Sequence, residues 1–171
     1  MATFFTGDWH LYHKNIIDYC KRPFRSVKEM HKALMTNYNQ LVREDDTCYF
    51  VGDLAMVGPS MWEHVKGIVT KLNGRKHMIF GNHDEFKWQR YLDVGFTSVH
   101  SAHWMTVDGL NLVIAHDPSV YCTLNPNTIL ICGHIHTLFK SLPDQLVFNA
   151  GVDVRNYRPV NVDDIRKELG V

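Results

Sequence analysis

Short apolar runs, each halted by a glycine and an ionisable residue, alternate with stretches of helical periodicity through the first half of this chain. Residues Thr3–Thr6 form a first β-rich run that ends at Gly7-Asp8. Thr47–Val51 leads in the same way into Gly52-Asp53, and His77–Phe80 into Gly81-Asn82-His83-Asp84. Between the first two runs, Val27, Met30, Leu34, Tyr38 and Leu41 return to one face at helical spacing. That spacing predicts a helix starting at Ser26, which with Glu29 three residues on makes a capping-box signature. Ser60 and Glu63 repeat the signature and predict a second helix ending at Asn73-Gly74.

The second half reads differently. Residues 98–107 and 110–115 flank Asp108-Gly109, a two-residue hairpin signal. Thr128–Cys132 is a continuous apolar run before Gly133, Leu146–Ala150 is a further expected strand, and Asn161 can cap a closing helix through Leu169. Strand–helix–strand–helix–strand followed by closely linked strands predicts an α/β protein, parallel at first with helices outside, then mixed or antiparallel. Ligands in such sheets gather beyond the carboxyl ends of the strands, where the polar segments fall. No repeat, low-complexity tract or linker divides residues 1–171, so a single domain is expected.

Composition narrows the class. The chain has 45% apolar and 21% charged residues and a formal net charge of zero, so the overall balance gives no signal for bulk nucleic-acid binding or an anionic membrane. Cys20, Cys48, Cys122 and Cys132 lack paired spacing, and no apolar run approaches the ~18 residues needed to cross a bilayer. A reducing, cytoplasmic setting is the expectation. There are 11 histidines, and several of them fall in or beside the strand-end segments.

Those segments, in order, are Asp8-Trp9-His10, Gly52-Asp53, Gly81-Asn82-His83-Asp84, Ala115-His116-Asp117, Gly133-His134 and His136. Singly, most are ordinary: Gly-Asp is turn chemistry, and a lone strand-end histidine is usually a hydrogen-bonded polar residue. Together they place imidazoles, carboxylates and an amide at the ends of adjoining strands, a donor mix suited to divalent first-row metals.

This ordered set resembles the calcineurin-like metallophosphoesterases, with every signature element present across residues 8–136. The resemblance implies a four-layer αββα sandwich of two mixed β-sheets flanked by helices, with a binuclear metal site at the strand C-terminal ends. It implies two divalent ions, Mn²⁺ foremost, with Fe, Zn, Co or Ni as alternatives. Asp8, His10 and His136 would hold the first ion, Asp53 would bridge, and Asn82, His116 and His134 would complete the second. A hydroxide between the ions would attack phosphorus in line, His83 would protonate the leaving oxygen, and Asp84 would fix the His83 tautomer.

A basic stretch, Lys14 to Lys28, follows the first motif. Arg22 and Arg25, with His13, are its candidates for binding substrate phosphate, because guanidinium meets phosphate bidentately. The expected activity is a phosphodiesterase acting on small diesters, cyclic nucleotides or nucleic-acid ends. A phosphomonoesterase or nucleotidase using the same residues, a helical HD-type phosphohydrolase suggested by His83-Asp84, and a non-catalytic metal-binding scaffold are the alternatives.

Overall fold

The computed structural model describes residues 1–85, 87–119, 125 and 127–171. Cys122, considered from the sequence, lies outside them. Four parallel strands lead the first sheet: β1 (Thr3–Thr6), β2 (Thr47–Val51), β3 (Arg75–Ile79) and β4 (Ser98–His100). The two-residue β10 (Val160–Asn161) returns antiparallel beside β1, giving the order β10-β1-β2-β3-β4. The second sheet holds β5 (His103–Val107), β6 (Leu110–Ile114), β7 (Ile129–Cys132), β8 (Ser141–Leu142) and β9 (Val147–Asn149), in the order β5-β6-β7-β9-β8. Both sheets are mixed and each has five strands.

Alternation along the strands divides the core. In β2, Cys48 and Phe50 face helices, while Tyr49 and Val51 face the second sheet, so the strand is apolar throughout because both faces are covered. Helices α2 (Val27–Leu41), α3 (Trp62–Val69) and α4 (Trp88–Val94) lay Met30, Leu34, Tyr38, Val65, Val69 and Tyr91 on the outer face of the first sheet. Between the sheets, Phe5, Val51 and Ile79 meet Ile114, Ile131 and Phe148, and α5 (Val162–Leu169) inserts Val162, Ile165 and Leu169 into this layer. On the far side, Val113, Leu130, Cys132 and Val147 pack with Ala102, Phe139 and Leu142.

Several local expectations hold in detail. Ser26 accepts the Glu29 amide, and Asn161 with Asp164 forms a complete capping box for α5. Asp108 and Gly109 both take positive φ (48° and 81°), as a type I′ hairpin between β5 and β6 requires. Ser60 does not cap α3: Pro59 starts a 3₁₀ turn over Pro59–Met61, and the helix opens one residue later with no side-chain cap. The run 98–107 is not one strand either. It breaks at Ser101-Ala102, where the chain leaves β4 in the first sheet for β5 in the second. Short α1 (Asn15–Tyr19) and α4 carried too few periodic positions to be anticipated. No helix among the described residues is long and apolar enough to cross a membrane.

Candidate metal centre

The Asp8-Trp9-His10 triplet shows how packing aims chemistry. Trp9 is 1% exposed, packs edge-on to Tyr38, lies against Phe50 and donates its indole N–H to Thr6 Oγ1 at 2.8 Å. That anchor turns Asp8 and His10 away from the helical core toward the strand ends. The backbone follows at a cost: Asp8, His10, Asp53, His134 and His136 all have positive φ, at 57°, 50°, 53°, 73° and 45°. Each left-handed residue other than glycine costs on the order of 1 kcal/mol, and such strain clusters where a site over-determines the backbone. Backbone bonds from Asp8 N to Gly52 O (3.1 Å) and His10 N to Asp53 O (2.9 Å) hold the first two loops together. The loops are close enough that glycine is required: a Cβ at Gly81 would lie 2.1 Å from Asp53 Oδ1, and one at Gly52 2.1 Å from His116 Nδ1.

At the centre, Asp53 Oδ2 lies 3.5 Å from His10 Nε2 and 3.4 Å from His116 Nε2, so one carboxylate oxygen stands between two imidazoles. His10 is 1% exposed, and neither of its ring nitrogens has a hydrogen-bond partner. Buried polar atoms are rarely left so, and a metal ion is a partner that would satisfy them. His116 sets Nδ1 2.9 Å from Val51 O and Nε2 3.0 Å from Asn82 Oδ1; His134 Nδ1 is 2.8 Å from the same Asn82 oxygen. Three donor atoms thus converge on one point. The ligand atoms of Asp8, His10 and His136 lie within 4.8 Å of one another, as do those of Asp8, Asp53 and His116. The chain therefore brings together all seven residues expected to hold metal.

Their electrostatics fit cation binding. Burial lowers His10 to about 3, keeping it neutral, and raises Asp8 to about 6. Burial also opposes the charges of Asp53 and His116, but their mutual attraction prevails and holds them near 2 and 9. Protons and metal ions compete for such groups.

No family model matches the chain. Its fold is similar to the crystal structure of a protein of unknown function from Aquifex aeolicus, at 23% identity and TM-score 0.80, covering 98% of both chains. A novel archaeal phosphodiesterase aligns at TM-score 0.52 and 18% identity, covering 95% of this chain and 99% of that one. In sequence, an uncharacterized protein of Methanocaldococcus jannaschii is 34% identical over 166 residues, 94% of this chain and 87% of its own length. The chain belongs to the family of that protein, and it shares its fold with the Aquifex protein and the archaeal phosphodiesterase. The gene 66 protein of Mycobacterium phage L5 is 32% identical over 82 residues, 48% of this chain and 39% of its own length.

Within this fold, three sequence expectations change. Arg22 is not available to clamp phosphate. It is 4% exposed, pairs with both oxygens of Asp153 through Nε (2.8 Å) and Nη2 (2.9 Å), and donates to the carbonyls of Asp8 and Trp9. Asp84 does not touch the His83 ring. Its carboxylate accepts the amides of Asp53 (2.7 Å), Leu54 (3.1 Å) and Gly81 (2.8 Å) and the Tyr91 hydroxyl (3.1 Å), which ties the β2 and β3 loops into one unit. Arg25 is exposed, at the start of the turn into α2.

His83 and His13 do arrive. The His83 ring is 5.6 Å from that of His10 and the His13 ring 5.5 Å, with the His83 amide donating to Asp53 Oδ1 at 3.0 Å. Burial lowers His13, helped by the charges of His83, Arg22 and His136. Asp153, outside the candidate site read from the sequence, lies against it: its Oδ2 accepts the His136 Nδ1 proton at 2.8 Å. It follows a buried strand and a glycine, the same pattern that delivers Asp53, and that pattern was the available signal. Cys20, also unanticipated, joins His136 and Asp153 within 4.8 Å.

Proposed function

We propose that this protein is a binuclear metal-dependent phosphodiesterase. The observation that carries the reading is Asp53 Oδ2 poised between His10 Nε2 and His116 Nε2, at 3.5 and 3.4 Å, with His10 otherwise unsatisfied. The likeness in fold to an archaeal phosphodiesterase supports the same class. Two divalent ions held by the seven residues would supply Lewis acidity toward phosphoryl oxygens and a water nucleophile at neutral pH. Mixed imidazole, carboxylate and amide donors suit Mn²⁺, and also Fe, Zn, Co or Ni.

The remaining steps belong to the chain's own side chains. His83, exposed at the edge of the ligand group and pinned through its amide to Asp53, is placed to give a proton to the leaving oxygen. His13, beside it, is placed to meet a phosphoryl oxygen. Asp153 takes the Nδ1 proton of His136 and so presents Nε2 as the ligand, as Val51 O does for His116. The free thiols of Cys20, Cys48 and Cys132 support the cytoplasmic expectation.

The test is hydrolysis of bis-p-nitrophenyl phosphate by Mn²⁺-loaded protein, with p-nitrophenyl phosphate beside it. The diester should be cleaved faster, and Asp53→Ala should abolish both activities. Diester hydrolysis that survives Asp53→Ala would refute the assignment.

A further inference from the structure

A hollow of about 240 Å³ opens beside the ligand group, and Asn82, His116, His134, Ser101, Ala102 and Asp117 are among the residues that line it. Ser101 and Ala102, where the chain switches sheets between β4 and β5, contribute small side chains to its lining. His83 does not line it. In diester hydrolysis a water oxygen bonds to phosphorus and the P–O bond to the leaving group breaks. The water gives up a proton to solvent, His83 gives one to the leaving oxygen and regains it from solvent, and the second ester bond stays intact. The leaving group departs toward His83, whose ring lies beside His10, so a hollow bordered by Asn82, His116 and His134 lies off that path and can face an equatorial oxygen, which in a diester carries the substituent that is kept. A monoester has no such substituent.

We propose that this hollow seats the retained substituent of a phosphodiester, a single neutral ring, and so makes the site diester-selective; the proposal rests on the phosphodiesterase reading above. Size sets the class: a cavity of about 150 Å³ already holds benzene, so this one takes one ring with room for a small group. Charge sets the rest. Asp117 lies exposed at the mouth, with one oxygen bound to the Ser119 amide at 2.8 Å, and its carboxylate opposes a second phosphate there. Continuous nucleic acid is disfavoured in this direction, whereas small aryl, glycosyl or nucleobase-bearing diesters fit.

Two diesters with the same leaving group isolate the hollow: phenyl p-nitrophenyl phosphate and methyl p-nitrophenyl phosphate, each assayed with Mn²⁺-loaded protein. The phenyl ester should have a kcat/KM about tenfold or more higher, the discrimination expected from filling an apolar subsite. Ala102→Leu should collapse that ratio toward one, and Ser101→Leu, at an exposed position, repeats the test without burdening the core. Calorimetric binding of diphenyl against dimethyl phosphate to the same proteins reads the hollow independently of turnover. Ring discrimination without hydrolysis would sink the phosphodiesterase reading and keep the subsite. Equal handling of ring and methyl by the wild type, or a ratio untouched by both substitutions, would overturn the subsite alone.

Discussion

Asp153 receives the Nδ1 proton of His136 at 2.8 Å while Arg22 grips the same carboxylate through both of its oxygens. Burial disfavours the Asp153 charge, but His136 and Arg22 outweigh it and hold its pKa below the usual carboxylate range. The chain Arg22–Asp153–His136 links a strand-end ligand to the segment between β1 and α2.

Asp153→Asn keeps the shape and removes the charge that orders the imidazole. Mn²⁺ affinity should fall about 10- to 100-fold, the usual cost of losing an outer partner of a metal-bound histidine, as read by calorimetric titration. Arg22→Ala should act on the fold instead. It strands the buried Asp153 charge, and an equilibrium denaturation loss of about 3–5 kcal/mol is expected. A loss under about 1 kcal/mol would show that Arg22 is not the partner that matters.

Backbone strain at the ligands can be measured at His134, whose φ is 73°. His134→Gly and His134→Ala remove the same imidazole, but only glycine takes this conformation freely. The glycine variant should be the more stable metal-free protein by about 1 kcal/mol. Equal stabilities would mean the loop relaxes and holds no strain.

Asp84 serves the loops rather than His83. Tyr91→Phe, which deletes one of its four donors, should cost about 1 kcal/mol, and Asp84→Ala several times more with loss of Mn²⁺ binding. Phosphodiesterase activity retained by Asp84→Ala would contradict this role.

Acid should weaken the fold through histidines remote from the ligands. His31 accepts the Tyr12 amide at its Nε2 (3.0 Å), and burial lowers it from 6.5 to about 4. His77 falls to about 4 through burial and the nearby His100 and His103. Because the folded values lie below the unfolded one, the unfolded chain binds more protons between about pH 6.5 and 4, and stability drains as pH falls through that window. His31 alone accounts for about 3 kcal/mol at the limit. The drop in Tm from pH 7.5 to 5 should shrink in His31→Gln, and an unchanged drop would exclude His31 as its source.

The candidate metal group was legible because each proposed ligand follows a buried strand, so the apolar runs that predict β1, β2, β3, β6 and β7 also locate these side chains. What escaped depended on distant contacts. Arg22 resembles a solvent-exposed phosphate clamp until Asp153, 131 residues away, is seen to occupy it. Asp84 looks like a partner for its neighbour His83 until the β2 loop supplies two amides to its carboxylate. The sheet switch at Ser101-Ala102 has no hydrophobic signature, since β-rich residues continue on both sides of it. Local pattern names the donors; the partners that orient them belong to the tertiary structure.

The central claim is a two-ion centre astride Asp53, and anomalous diffraction from a crystal grown with Mn²⁺ tests it directly. The account predicts two peaks about 3.5–4 Å apart, one beside Asp8, His10 and His136 and one beside Asn82, His116 and His134, with Asp53 between them. A single peak, or one at Cys20, His136 and Asp153 instead, would contradict it.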